Sequence, residues 1–186
     1  MFKRKNILSI LLVCILSLSS TIAFAEELLP EVQNDLMGPG LSIPDRNASS
    51  WALNELVDSD RYGLYKSDNL YKNNLRNLLD DDLKESLLKN FAERLEKSGL
   101  EKVEKPTFLT EVKNSKTRGC FLRELYNILV PYEDEAKLGK DPIMYLNDAK
   151  IVLGSGSKLF LDRNITIEEA IVFTKRAIDY IYREND

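Results

Sequence analysis

Lys3, Arg4 and Lys5 stand ahead of an apolar run from Ile7 to about Leu18, and Ala23-Phe24-Ala25 closes the segment just before Glu26. A charged start, an apolar middle and a small-residue exit are the three parts of a secretory signal peptide. This pattern constrains the fold because it removes the most apolar stretch from the final protein, so the core must come from residue 26 onward. The run falls short of the roughly 20 residues that a bilayer-spanning anchor needs, and Ser17, Ser19, Ser20 and Thr21 break into its end. Cys14 follows Val13 where a lipid-attachment cysteine would follow a small residue, and it reads as part of the hydrophobic region. Cleavage after Ala25 and a secreted product with no membrane span are expected.

Removing residues 1–25 from a chain of 186 leaves 161, enough for one domain with its own core. Of the 26 Lys and Arg and 30 Asp and Glu, the removed segment takes three basic and no acidic residues. The mature part therefore carries 23 against 30, a net charge of −7. Nucleic-acid binding needs a basic face, and no basic tract supplies one. Cys120 is the single cysteine after cleavage, so no intramolecular disulfide forms and stability rests on packing. It is expected to pack as a small apolar residue.

Histidine is absent from the whole chain. Its absence removes serine-histidine triads, cysteine-histidine pairs and the usual zinc sites together. Two carboxylates can still hydrolyse a glycan, but spacing nominates no pair among so many acids. Asp80-Asp81-Asp82 lacks the spacing of a calcium loop and is better explained as a helix start. Neither a metal nor a cofactor is expected.

Pro30, Gly38, Pro39, Gly40 and Pro44 mark residues 26–49 as an extended lead-in or linker. Trp51, Leu53, Leu56 and Val57 predict a short helix from about Ser50 to Asp60, capped by Ser49-Ser50. Leu83, Leu87, Leu88, Phe91 and Leu95 predict a second over 80–97, closed by Gly99. A third runs from about Thr117 to Val130, burying Phe121, Leu122, Leu125, Ile128 and Leu129 and stopped by Pro131. Between them, alternating Phe108, Thr110 and Val112 suggest an extended piece within 105–114. Ile143, Tyr145, Leu146, Ala149 and Val152 suggest a short helix ended by Gly154-Ser155-Gly156. Ala170, Phe173, Ala177, Ile178 and Ile181 predict the last helix, opened by a capping box of Thr166 and Glu169. The fold class is all-α, in a single domain over 50–186.

Leu146-Asn-Asp-Ala149-Lys-Ile-Val-Leu-Gly154, then Gly156, Phe160 and Asn164-Ile-Thr-Ile-Glu-Glu-Ala170, resembles an S-layer homology repeat. Two partial matches follow the same order of parts. One takes in Trp51-Ala52, Glu55, Gly63-Leu64 and Leu78 to Leu95; the other takes in Thr117-Arg118-Gly119, Phe121-Leu122 and Leu125. The resemblance covers about residues 50–182. It implies three short helix-loop-helix repeats about a pseudo-threefold axis, forming a non-catalytic module of a Gram-positive envelope that holds secondary cell-wall polysaccharide.

In that family an arginine after the threonine grips the anionic polymer at a helix start, where backbone amides also favour anions. Arg118 matches it, whereas the corresponding positions hold Asp80 and Ile167. The expected ligand-binding residues are thus Arg118, Thr117 and Trp51, with an envelope protein as the alternative partner. Arg118 is otherwise a solvated arginine in a helix first turn, and Trp51 otherwise a core residue. Tyr62, Tyr65, Tyr71, Tyr126, Tyr132, Tyr145, Tyr180 and Tyr182 are placed mostly at the core margin, rings buried and hydroxyls wet. The rival reading from another class is a secreted wall-glycan hydrolase working with two carboxylates.

Overall fold

The computed structural model describes residues 47–102, 110–111, 116–133, 141–154 and 158–185. Every described residue belongs to one compact unit. The expected signal peptide, the lead-in up to residue 46 and most of the extended piece at 105–114 lie outside the described residues.

The described residues form six α-helices and no strand: α1 (Leu53–Ser59), α2 (Ser67–Lys72), α3 (Asp81–Lys97), α4 (Arg118–Leu129), α5 (Pro142–Asp148) and α6 (Ile167–Asn185). The fold is all-α over these residues. Between helices, the chain pairs with itself at the isolated antiparallel bridges Leu78↔Thr166 and Thr117↔Asn164.

The packed part begins earlier than residue 50. Asn47 and Ala48 are buried, and Asn47 is held from both sides: its side chain donates to the Tyr71 carbonyl at 2.8 Å and its own carbonyl accepts from the Leu75 amide at 2.7 Å. Helix α1 is shorter than its apolar spacing suggests, because its N-cap is Ala52, which offers no side-chain acceptor. Ser49 is engaged elsewhere, as described below. After Ser59 the helix tightens into a 3-10 turn over Asp60–Tyr62 and ends at Gly63, whose φ of 59° suits a residue without Cβ. Helix α2 shows no apolar period in the sequence; its six residues contribute one fully buried side chain, Leu70.

Helix α3 follows the predicted stripe. Asp80 caps it by accepting from the Leu83 amide at 2.7 Å, and Leu87, Phe91 and Leu95 are completely buried at four-residue steps. Leu83 and Leu88 sit half-buried at the margin. Helix α4 buries Phe121, Leu122, Leu125, Tyr126 and Leu129, while Ile128 stays half-buried. The α-helix ends at Leu129, ahead of Pro131 as expected, and Pro131 falls early in a 3-10 turn over Val130–Tyr132, where its missing amide costs no bond.

Helix α5 ends at Asp148, short of Val152. Lys150 takes a left-handed φ of 63°, and the reversal lets the Ile151 amide reach the Leu146 carbonyl at 2.9 Å. Ile151 and Val152 are thereby buried from a turn instead of a helix face.

Helix α6 is the centre of the unit. All five residues from Ala170 to Thr174 are buried, so this stretch is enclosed on every side, beyond the single stripe that the sequence suggests. Helices α1 and α3 pack on it, α4 packs on α3, and α5 packs on α4. Three tyrosines close the α4–α5–α6 junction. Tyr145 meets Tyr126 and Tyr180 edge to face, at 5.6 and 6.4 Å between ring centroids, and its hydroxyl lies 3.0 Å from that of Tyr180. These three are core residues, whereas Tyr62, Tyr65, Tyr71, Tyr132 and Tyr182 are at the margin. Burial, reinforced by the Tyr180 hydrogen bond, pushes the Tyr145 hydroxyl well above the ordinary tyrosine range.

Candidate functional site

The starts of α3, α4 and α6 share one local design. Asp80, Thr117 and Thr166 each stand just before the helix, and each side chain accepts from the amide three residues on, at 2.7, 3.4 and 3.4 Å. In α6 the box is completed by Glu169, whose carboxylate accepts from the Thr166 amide at 3.2 Å. The segments leading into these helices meet. The Leu79 amide donates to the Ile165 carbonyl at 3.0 Å and the Ile167 amide to Asn77 at 2.9 Å. On the other side, the Arg118 amide donates to Arg163 at 2.8 Å and the Ile165 amide to Lys116 at 3.1 Å. The run 163–167 therefore lies between the other two openings and ties them into one pole of the molecule.

Gly119 shows how closely this pole is packed. Its amide donates to the Leu161 carbonyl at 2.8 Å, and a Cβ there would lie 3.1 Å from that oxygen and 3.2 Å from the Leu161 Cβ. A glycine at the second helical position lets the α4 start and the 160–164 loop come together.

Under the pole, the Arg118 guanidinium is withdrawn from solvent, with 6% of the residue exposed. One arm is ion-paired with Glu169 and the other donates to the Leu153 carbonyl at 2.9 Å, while its plane lies over the Phe173 ring at 4.8 Å. Its Nε has no hydrogen-bond partner among the described residues. Arg163 grips the same carboxylate from the outside, with an Nη1 to Oε2 distance of 2.7 Å. Glu169 is thus a buried acid shared by two guanidinium groups. Burial alone would push its carboxyl up. The Arg163 hydrogen bond, with Arg118 and the Thr166 amide, outweighs burial and holds the carboxyl below the ordinary range. Burial moves Arg118 down from its usual value despite Glu169, whereas the more exposed Arg163 moves up because of it. Both remain cations at any physiological pH.

Glu168, the adjacent residue, fastens the beginning of the fold to the same pole, its two oxygens accepting from the Ser49 amide and hydroxyl at 2.8 Å each. Trp51, Leu78, Met144, Leu153 and Phe160 are exposed large apolar residues, 47–61% exposed, and four of them connect to these openings along the backbone. Leu78 bridges Thr166, the Leu153 carbonyl holds Arg118, Phe160 precedes Leu161, and Trp51 follows Ser49 by two residues. Exposed large apolar side chains are what binding surfaces present where they form one patch.

Of the three sequence-predicted site residues, Thr117 and Arg118 lie at the α4 opening, whereas Trp51 stands just before α1. Thr117 is a helix cap. Trp51 is an exposed aromatic, not part of the core. Arg118 is neither a solvated arginine nor open to a ligand, because Glu169, Leu153 and Phe173 occupy it. Cys120 is half-buried. Sequence reasoning names Glu169 as a cap but misses its ion pairs and misses Arg163 and Glu168, because those contacts join residues that only the meeting of the openings brings together.

A two-acid hydrolase needs its carboxylates in a cleft. A groove of about 550 Å³ between α3 and α4 carries Asp81, Glu85 and Glu124 over Leu88, Ala92 and Ile128. Asp81 is paired with Lys116 at 2.8 Å and Glu124 with Lys84 at 2.7 Å. Among the described residues no group of three acids or cysteines is placed to hold a metal ion, and no helix is long and apolar enough to cross a membrane. No protein-family model, curated protein or solved structure matches this chain.

Proposed function

We propose that the chain is an exported, non-catalytic module of the bacterial cell envelope, assembled from three degenerate S-layer-homology-like repeats, that docks onto its partner through the pole where the three helix openings meet. The observation that carries this reading is the set of exposed apolar side chains, Trp51, Leu78, Leu153 and Phe160, connected to the capped starts of α3, α4 and α6. The α4 and α6 starts fall at matching positions of their partial repeats and the α3 start one residue later, since Asp80 caps as Thr117 and Thr166 do; their pairing through residues 163–167 supports a repeat architecture.

With Arg118 turned inward, this pole offers apolar contact instead of a guanidinium grip on carboxylates. That favours an envelope protein as the partner, because the centres of protein interfaces are apolar and aromatic. Wall polysaccharide is the second reading, supported by Trp51, whose ring can cover the C–H face of a sugar, and by Arg163, whose side chain is 43% exposed.

Cosedimentation with cell walls tests both. Pelleting with walls that retain their proteins, lost after protein extraction and in Trp51→Ala, supports the protein partner. Pelleting with protein-free walls that requires the attached polymer and is lost in Trp51→Ala selects the second reading. Absence of pelleting with either preparation sinks the docking role.

A further inference from the structure

Glu168 is the second residue of α6 and only 4% exposed. It makes no ion pair among the described residues, since the guanidinium groups of Arg118 and Arg163 are both committed to Glu169. An acid in the first turn of a helix ordinarily answers the free amides of its own helix start. Glu168 instead uses both oxygens on Ser49, 119 residues earlier, accepting from the amide and from the hydroxyl. Burying a carboxylate is costly unless it is hydrogen-bonded, so these two bonds account for its place in the fold.

What Ser49 governs is the turn that carries Trp51. The Ala52 amide donates to the Ser49 carbonyl at 2.9 Å and closes a turn over Ser49-Ser50-Trp51-Ala52. One end of that turn is seated by Ala52, which is fully buried at the start of α1; the other end is fastened by Glu168. Trp51 between them is 49% exposed and is not packed on the core. Its direction is therefore set by the two ends of the turn and not by contacts of its own ring. The rest of the hold on this stretch is polar as well. Asn47 is tied to Tyr71 and Leu75, and the Ala48 carbonyl accepts from Arg76. The apolar side chains that it buries are those of two alanines, Ala48 and Ala52. A segment with so little apolar burial opens locally at a lower free energy than the whole fold.

We propose that Glu168 is a positioning residue of the docking surface: through Ser49 it holds the turn that presents Trp51, so that Trp51 is displayed only once α6 is in place. The inference rests on the docking role proposed above and adds its regulation. A chain whose last helix has not packed lacks the aromatic contact, which ties partner binding to completion of the fold.

Trp51 is the single tryptophan, so time-resolved fluorescence anisotropy follows this turn alone and needs no partner. Glu168→Ala should enlarge the fast local component of the decay by about twofold or more, as a side chain freed to move on the ps–ns scale does, with circular dichroism unchanged. Glu168→Gln should restore the wild-type decay, because its amide offers Oε1 to the Ser49 amide and Nε2 to the Ser49 hydroxyl oxygen. An acid that only supported the helix start by its charge would not be replaced by a neutral amide. Ser49→Ala loses the hydroxyl bond alone; it should fall between the two, and it carries the test if Glu168→Ala does not fold. Asp80→Ala weakens another helix start without touching the turn and should leave the decay as in the wild type. In cosedimentation with cell walls, Glu168→Ala should lose as much pelleting as Trp51→Ala, and Glu168→Gln should keep it. A wild-type decay in folded Glu168→Ala, or in Ser49→Ala in its place, would overturn the positioning role, as would Glu168→Gln as loose as Glu168→Ala or equal loosening in Asp80→Ala. Full pelleting by a Glu168→Ala protein with a loosened Trp51, where Trp51→Ala has lost it, would overturn the role as well. Failure of the wild type to pellet sinks the docking role instead, and the anisotropy then decides by itself whether Glu168 holds the turn.

Discussion

Glu169 ties three parts of the structure together: it completes the α6 cap and holds two guanidinium groups, one from the α4 start and one from the 160–164 loop. Glu169→Ala leaves Arg118 buried without its counter-charge, and removing one partner of a buried pair costs about 3–5 kcal/mol. Urea unfolding followed by circular dichroism should show that loss at neutral pH. The pH dependence follows from the lowered carboxyl. The folded protein binds this proton at a lower pH than the unfolded chain, so the stabilisation is complete above the ordinary glutamate range, near about 4.3, and disappears as pH falls through the folded-state value. Glu169→Gln should flatten that part of the acid limb; an unchanged acid limb would mean that the ion pairs do not set it. Gly119→Ala forces Leu161 away from the α4 start, and a loss of about 1–3 kcal/mol is expected in the same assay, in the range for overpacking a close contact. The Thr166–Glu169 box is legible in the sequence because capping is local. That Glu169 also answers Arg118, 51 residues earlier, is not, because a spacing pattern carries no information about which openings meet.

Among the elements, α3 and α4 follow their apolar periods closely: α3 lays one face on its neighbours and turns the other to water, and α4, held between α3 and α5, keeps its remaining face half-buried. Helix α6 exceeds its pattern: Ile171 and Val172 are buried on the side that a single stripe would leave wet. Helix α2 is invisible to periodicity, since six residues complete less than two turns. The predicted boundary at Ser49-Ser50 misleads for a related reason: serine before an apolar run caps a helix when nothing else claims it, and here Glu168 does. Amide exchange should rank these elements, with residues 170–178 of α6 slowest and α2 near the fast end. The three caps offer a matched series. Asp80→Ala and Thr117→Ala should each cost about 0.5–2 kcal/mol; a loss far above that range at Thr117 alone would show that its bridge to Asn164, and not its cap, is what matters.

At the scale of the whole molecule, the long central helix separates two kinds of surface. At its start, Glu169 pairs with the guanidinium groups of Arg118 and Arg163 and apolar side chains face water; toward its end, Tyr62 and Tyr182 are partly exposed, and Asp179 and Glu55 are paired with Lys175 and Arg176. The exposed Trp51, Leu78, Leu153 and Phe160 have no evident role in stability, so substituting them should change unfolding free energy by no more than about 0.5 kcal/mol. A loss of binding in such a variant would then report on the surface itself. Composition and the missing histidine lead us to expect docking or two-carboxylate hydrolysis, whereas the face proposed for docking depends on how the three openings meet, which the sequence does not show. The most direct measurement places a photoreactive phenylalanine analogue singly at Trp51, Leu78 and Phe160, with Lys89 on the third turn of α3 as the comparison site, and irradiates the producing cells. Adducts to an envelope component from the three polar-end positions and none from Lys89 are the result expected of a docking pole. Adducts from Lys89 alone, or equally from all four positions, would contradict it.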